Sequence, residues 1–218
     1  MLQQFDLVST HHTIELDHTM CTAHSVGSAL LSPDGRHCFV NVPKNGSSTM
    51  KLLLQDWQPV DYHAAPESAE FLVLLRDPTK RWISAVSEFL AGAYGIPGAD
   101  TQSQSSIDDL LRNPVIKNWI FHSVYLDGHS LPQCYYLQGL PWHKIKFFNY
   151  DHDGIQAIAD QLSIDRPIGH LNKGDSLLKK HVVNWINKQL ASDSNLQKTI
   201  DIHYWCDHQL LDKTFAHS

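Results

Sequence analysis

Cys38-Phe39-Val40-Asn41-Val42, Pro43-Lys44-Asn45-Gly46-Ser47-Ser48-Thr49 and Met50-Lys51-Leu52-Leu53-Leu54-Gln55-Asp56-Trp57 follow one another as an apolar β-favouring run, a loop and a helix-favouring run. A short loop that leaves a buried strand and opens a helix offers several unpaired backbone N–H groups and the positive end of the helix dipole, which together attract anions. Gly46 lets the backbone turn and come close to a ligand, Ser47, Ser48 and Thr49 add hydroxyl donors, and Lys44 adds a mobile charge. A serine-capped turn with a solvated lysine would use the same residues without a ligand, so the segment needs support from elsewhere in the chain.

Upstream, Ala29-Leu30-Leu31 is separated from the strand by Ser32-Pro33-Asp34-Gly35, a turn-forming tetrapeptide that predicts a hairpin. Downstream, Phe71-Leu72-Val73-Leu74-Leu75 reads as a second buried strand ending at Arg76, and Asp77-Pro78 supplies an N-cap and an N1 proline for a helix. In that helix Trp82, Ala85, Val86, Phe89, Leu90 and Ala93 form an apolar stripe that should pack on the sheet. Ser84 falls two turns beyond Asp77, roughly 10 Å along the axis and on nearly the same face. From the strand end Arg76 can turn its guanidinium towards that face, where a guanidinium and a hydroxyl can bracket one phosphate. Arg81 can assist, or can pair with Asp77 or Glu88.

Residues 92 to 106 read as a surface loop, with helix over 107–111 and 115–126. Lys144 to Tyr150 reads as a strand, and 155–162, 176–190 and 196–211 as helices. Strands alternating with helices predict an α/β fold with a mainly parallel sheet flanked by helices on both faces, in one domain over 26–218 after an irregular lead-in over 1–25. His11, His12, His18 and His24 in that lead-in lack the spacing of a metal site.

The 218 residues carry a net charge of -6, which excludes the global basic field of a nucleic-acid binder, so an anion must be held by local groups. Cys21, Cys38, Cys134 and Cys206 match neither a zinc spacing nor a dense disulfide framework and read as free thiols of a reducing compartment. No basic and apolar leader and no run of roughly 18 apolar residues is present, so the expected setting is soluble and cytoplasmic. The N-x-S/T sequon Asn45-Gly46-Ser47 lies inside the anion loop, where a glycan would block it, and leans the same way.

A nucleotide triphosphatase loop reads G-x-x-x-x-G-K-[ST], whereas this chain has no Gly-Lys dipeptide and its lysine precedes the glycine. Pro43-Lys44-Asn45-Gly46-Ser47-Ser48 instead resembles the 5′-phosphosulfate loop of sulfotransferases that use 3′-phosphoadenosine-5′-phosphosulfate (PAPS). Arg76-Asp77-Pro78-Thr79-Lys80-Arg81-Trp82-Ile83-Ser84 resembles their second motif, Arg-Asp-Pro-x-x-Arg-x-x-Ser. The resemblance runs from about Leu30 to about Leu211 and is closer to the carbohydrate-modifying, Golgi-type branch (sulfotransferase family 2-like), since Thr49 is followed by Met50 where the phenol and steroid enzymes usually carry Trp. His129-Ser130-Leu131-Pro132-Gln133 and Tyr204-Trp205-Cys206-Asp207 are similar to that branch's His-x-x-Pro-Gln and Tyr-x-x-Asp segments.

The resemblance implies a P-loop-type three-layer sandwich in which Lys44, Asn45, Gly46, Ser47, Ser48 and Thr49 hold the 5′-phosphosulfate. Arg76 and Ser84, with Arg81, would hold the 3′-phosphate, and Asn172 and Lys173 would close over the nucleotide. Lys44 would stabilise the leaving oxygen and His129 would act as base, with His122 and Glu88 as other candidates. The donor is then PAPS, the product 3′-phosphoadenosine-5′-phosphate (PAP), and the acceptor a neutral or weakly charged carbohydrate or small glycoconjugate, with no metal and no nucleic acid; the short chain suggests that a homo-oligomer completes the site. A PAP-binding module without transfer, and a magnesium-dependent nucleotide kinase of the same fold, are the alternatives.

Overall fold

A computed structural model describes residues 26–93, 112–124, 126–168 and 177–215. The expected lead-in, most of the 92–106 loop, the helix over 107–111, and both Asn172 and Lys173 lie outside the described residues.

Strands β1 (Ser28–Leu31) and β2 (His37–Val40) form the expected hairpin. Its turn is held by the Asp34 carboxylate, which accepts from Ser32 Oγ at 2.6 Å and from the Arg36 N–H at 3.1 Å, while Gly35 takes φ 70°. The chain then forms helix α1 (Ser47–Leu53), strand β3 (Gln58–Asp61), strand β4 (Glu70–Leu75), and helices α2 (Pro78–Ala93) and α3 (Pro114–Ser123). Three short 3-10 turns at Gly128–Ser130, Gln133–Leu137 and Trp142–Lys144 lead to β5 (Ile145–Asn149), followed by α4 (His152–Gln161), α5 (Leu177–Ser192), α6 (Ser194–His203) and α7 (Trp205–Phe215). The single helix expected over 196–211 is thus two, broken at Tyr204.

The sheet order is β3-β1-β2-β4-β5. β2 with β4 and β4 with β5 are parallel, whereas β1 pairs antiparallel with both β2 and β3. The sheet is therefore mixed, and the expectation of a mainly parallel sheet is corrected. The tight turn after β1 forces the first reversal. β3 then adds to the outer edge of β1, and its Gln-Pro-Val-Asp sequence, three-quarters exposed, carries no hydrophobic signal by which it could be read as a strand. Pro59 is tolerated there because the strand is at the sheet edge.

Alternation along β4 divides the core. Phe71, Val73 and Leu75 join Cys38, Val40, Tyr136, Leu137 and Leu210 on one face, while Leu72 and Leu74 join Met50, Leu53, Ile155 and Ile158 beneath α1 and α4 on the other. Both sheet faces are covered. The α2 stripe lies elsewhere than expected: Trp82, Val86 and Leu90 pack with Ile120, Val182, Ile186, Ile200 and Tyr204 in a third, helical cluster. Complete burial of a side chain such as Val86 contributes about 1.5–3 kcal/mol, and the Trp82 indole N–H is satisfied by the Val124 carbonyl at 2.9 Å.

Cys134 and Cys206 form a disulfide, with Cα atoms 6.6 Å apart, so these two are not the free thiols expected. A pair separated by 72 residues leaves no local spacing to read. Cys38 is a buried thiol whose pKa is pushed up to about 12 by burial, and it is inert for that reason. Among the described residues no helix is long and apolar enough to cross a membrane.

Candidate anion-binding site

The loop between β2 and α1 begins where its strand ends, and its shape comes from two residues in the left-handed region, Lys44 at φ 66° and Gly46 at φ 80°. Glycine is required at 46 twice over: the conformation favours it, and a Cβ there would collide with the Tyr150 ring. Lys44 pays a steric cost for its φ, of about 1–2 kcal/mol, and the surrounding bonds hold it there. Ser47 Oγ donates back to the Val42 carbonyl at 3.0 Å, and Thr49 is buried in the first turn of α1. With only seven residues α1 adds little dipole, so the charge at this site comes from side chains.

Arg76 leaves the end of β4, the parallel neighbour of β2, and crosses to the loop: its Nη1 donates to the Lys44 carbonyl at 2.9 Å. Its guanidinium carbon sits 5.0 Å from the centre of the Tyr150 ring, within cation–π range. Burial draws the Arg76 pKa down, as expected for a cation removed from water, without bringing a guanidinium near deprotonation at neutral pH.

Arg81 is completely buried. Its Nε donates to the Pro43 carbonyl at 3.0 Å and its Nη1 to the Leu131 carbonyl, so one side chain ties the loop before Lys44 to the segment that carries His129. Its Nη2 is buried with no hydrogen-bond partner among the described residues. The pairing with Asp77 or Glu88 that the sequence left open is not made. Asp77 Oδ1 instead accepts the Lys80 N–H at 2.8 Å in the α2 cap, as its position before Pro78 predicted, and Glu88 Oε2 lies 3.1 Å from Lys44 Nζ. Ser84 is buried, one helical turn beyond Arg81 on α2.

Behind the loop lies a polar network that joins Asn45 and Arg76 to Gln133 and Asp207, which the sequence named only as parts of the His-x-x-Pro-Gln and Tyr-x-x-Asp segments. Gln133 Oε1 accepts from Asn45 Nδ2 at 2.5 Å and from the Arg76 N–H at 2.9 Å, and its Nε2 donates to the Arg76 carbonyl at 2.8 Å. Asn45 Nδ2 also donates to the Leu74 carbonyl at 2.7 Å. Asp207 accepts the N–H groups of Gln133 at 2.8 Å and Cys134 at 2.9 Å. Burial pushes its pKa up, against the opposing pull of Arg81 and of these donors. The His-x-x-Pro-Gln and Tyr-x-x-Asp segments therefore dock on each other, with the Tyr204 hydroxyl also donating to the Ser130 carbonyl. His203 places Nε2 3.3 Å from the same carbonyl, and burial lowers its pKa.

His129 stands in the Gly128–Ser130 turn with its Nδ1 3.0 Å from Asp127 Oδ2, a contact that orients the ring. His122 is exposed in the last turn of α3. Cys134, Cys206 and Asp207 bring potential metal-ligating atoms within 4.8 Å of one another, but the sulfurs are bonded to each other and the carboxylate is taken by N–H donors. Of the sequence-predicted residues, Lys44, Asn45, Arg76 and Arg81 are joined directly or through one shared group, and Arg81 connects His129's segment to them. The residues that sequence reading left out of the site are Gln133, Asp207, Tyr150 and His203; only Gln133 and Asp207 carried a signal, as the last residues of the His-x-x-Pro-Gln and Tyr-x-x-Asp segments.

Two surface clefts lie away from this cluster, one of about 740 Å³ around Asp160 and Arg166 and one of about 370 Å³ between Asn41, Lys51 and Trp57, and neither includes Lys44, Arg76 or His129. Compared with family models, with curated proteins and with solved structures, the chain gives no match.

Proposed function

We propose that this α/β protein is a PAPS-dependent sulfotransferase on a P-loop-type sandwich, acting on a hydroxyl of a carbohydrate or small glycoconjugate. The observation that carries the reading is the meeting of the two motifs: Arg76 Nη1 reaches the Lys44 carbonyl at 2.9 Å, at the carboxyl ends of the adjacent parallel strands β2 and β4. Crevices at the carboxyl ends of parallel strands are where open α/β sheets bind ligands. Three cations, Lys44, Arg76 and Arg81, converge on one loop of a chain with net charge -6. The buried Arg81 Nη2, without a hydrogen-bond partner among the described residues, fits an anion donor set better than it fits a finished structural core.

PAPS supplies an activated sulfuryl group joined to a phosphate. In this reading the loop residues Asn45 to Thr49 and Lys44 hold the 5′-phosphosulfate, Arg76 and Ser84 with Arg81 hold the 3′-phosphate, and Asn172 and Lys173 are further contacts to the cofactor. Lys44 supplies positive charge to the bridging oxygen as the S–O bond breaks. His129, oriented by Asp127, takes the proton of the acceptor hydroxyl as the new O–S bond forms. Gln133 keeps Arg76 and Asn45 in register with each other, so it acts on the ligand through them.

The test is thermal unfolding with saturating PAP, with ADP plus magnesium, and with neither. A ligand at about 100 times its dissociation constant adds roughly 2.7 kcal/mol. Stabilisation by PAP well beyond that by ADP supports the reading. Equal or greater stabilisation by ADP with magnesium overturns it in favour of a nucleotide kinase. Sulfate transfer from labelled PAPS to a panel of neutral sugars then separates an enzyme from a PAP-binding module.

A further inference from the structure

Arg81, Ser84 and Glu88 recur along α2 at spacings of three and four residues and so share one face of the helix. They grade from a completely buried cation through a buried hydroxyl to a carboxylate whose side chain is 58% exposed. At that outer end Glu88 Oε2 meets Lys44 Nζ at 3.1 Å, although the Lys44 side chain is only 15% exposed. The two neighbouring cations are treated differently: Arg76 and Arg81 donate to main-chain carbonyls, which satisfy a guanidinium without cancelling its charge. Lys44 alone of the three is set against a carboxylate in its described contacts.

An ammonium held by a carboxylate cannot offer its full attraction to an incoming anion. The anion must either displace Glu88 or accept a like charge a few ångströms away, and both reduce its affinity. The ligand's net gain is thus the difference between its own contact with Lys44 and the contact it breaks.

We propose that Glu88 is an internal competitor for the anion site, a positioning residue that parks Lys44 until a phosphate or phosphosulfate takes its place. This rests on the sulfotransferase reading of the same site. It gives Glu88 a role opposite in sign to that of a supporting residue: removing its charge should strengthen ligand binding.

The experiment is titration calorimetry of PAP into the full chain and into Glu88→Gln, Glu88→Ala, Glu88→Asp, Lys44→Ala and the Lys44→Ala/Glu88→Gln double variant. Partly exposed ion pairs of this kind predict a dissociation constant lower by about two- to five-fold in Glu88→Gln and Glu88→Ala, and a near wild-type value in Glu88→Asp. In the Lys44→Ala background Glu88→Gln should bring no gain, because the competition runs through Lys44. Equal or weaker binding by both charge-removing variants overturns the proposal while wild-type PAP binding leaves the sulfotransferase reading standing. A gain that persists without Lys44 also overturns it, since the effect is then a general field. If the wild-type chain fails to bind PAP at all, both readings fall together.

Discussion

Asp207→Ala would remove the acceptor on which the network behind the anion loop is built. Asp207 and Gln133 are both fully buried, and the Asp207 carboxylate accepts the N–H groups of Gln133 at 2.8 Å and Cys134 at 2.9 Å. Alanine leaves two buried main-chain donors without a partner, at about 1–3 kcal/mol each, so the expected loss is about 2–6 kcal/mol. Some of this is offset because burial disfavours the carboxylate's own charge, which is why its pKa is raised. In a domain of this size 1 kcal/mol corresponds to about 2–4 °C, so the midpoint should fall by roughly 10 °C. Asp207→Asn keeps one carbonyl acceptor and should lose about half as much. Differential scanning calorimetry near neutral pH measures both. Below the midpoint of the variant, PAP titration should also show weakened binding, because Gln133 is the group that holds the Arg76 main chain and Asn45. A midpoint within about 2 °C of wild type in Asp207→Ala would refute the reasoning, since that is less than the cost of even one orphaned donor.

Lys44→Ala should cut turnover by about 100-fold or more, as expected for loss of a charge at a developing anion, while Arg76→Ala should raise the PAP dissociation constant more than Lys44→Ala does; steady-state kinetics and calorimetry separate the two. Reduction of Cys134–Cys206, which closes a loop of 72 residues, should cost about 4 kcal/mol by the chain-entropy relation, and a Cys134→Ser/Cys206→Ser variant should melt at the lower temperature with or without reductant. His203 has its pKa lowered by burial, so its contribution is present above the unfolded value of about 6.5 and is lost as pH falls through the folded value. Melting curves taken from neutral to mildly acidic pH should therefore show an acid loss that His203→Gln flattens.

The parts of this molecule that could be read from its sequence are those set by neighbours in the chain. The β1–β2 turn announced itself through Pro33-Asp34-Gly35, and the start of α2 through Asp77-Pro78, because caps and turns are satisfied within a few residues. Strand β4 was legible because five consecutive apolar residues serve two opposite cores. Strand β3 was not, since an exposed edge strand held by backbone bonds needs no apolar pattern. Neither the break at Tyr204 nor the disulfide could be seen locally: Tyr204 is fixed by Ser130, and Cys206 by Cys134. The same holds for the site. Arg76 and Arg81 stood out by motif, but the groups that hold them, Gln133 for Arg76 and the Leu131 carbonyl for Arg81, lie 57 and 50 positions further along the chain.

The way the cations are held bears on how such a site can work in an acidic protein. Had Arg76 and Arg81 been paired with carboxylates, the site would be locally neutral and an anion would meet no net attraction. Their described bonds go instead to the carbonyls of Lys44, Pro43 and Leu131, which orient the guanidinium planes without a direct ion pair, while buried Asp207 draws on Arg81 from further off. Buried charge without a direct ion pair is costly, and the cost must be carried by the fold, here by Asp207 at one remove and by the Gln133 bonds that prevent the loop from relaxing outward. The net charge of -6 opposes an approaching anion at long range, but within a Debye length of about 8 Å the two guanidinium groups act on it directly, and Lys44 adds its charge once Glu88 gives way. Affinity in such a design comes from contacts made after arrival rather than from steering, and it depends on the rigidity of the groups that hold the guanidinium planes in place.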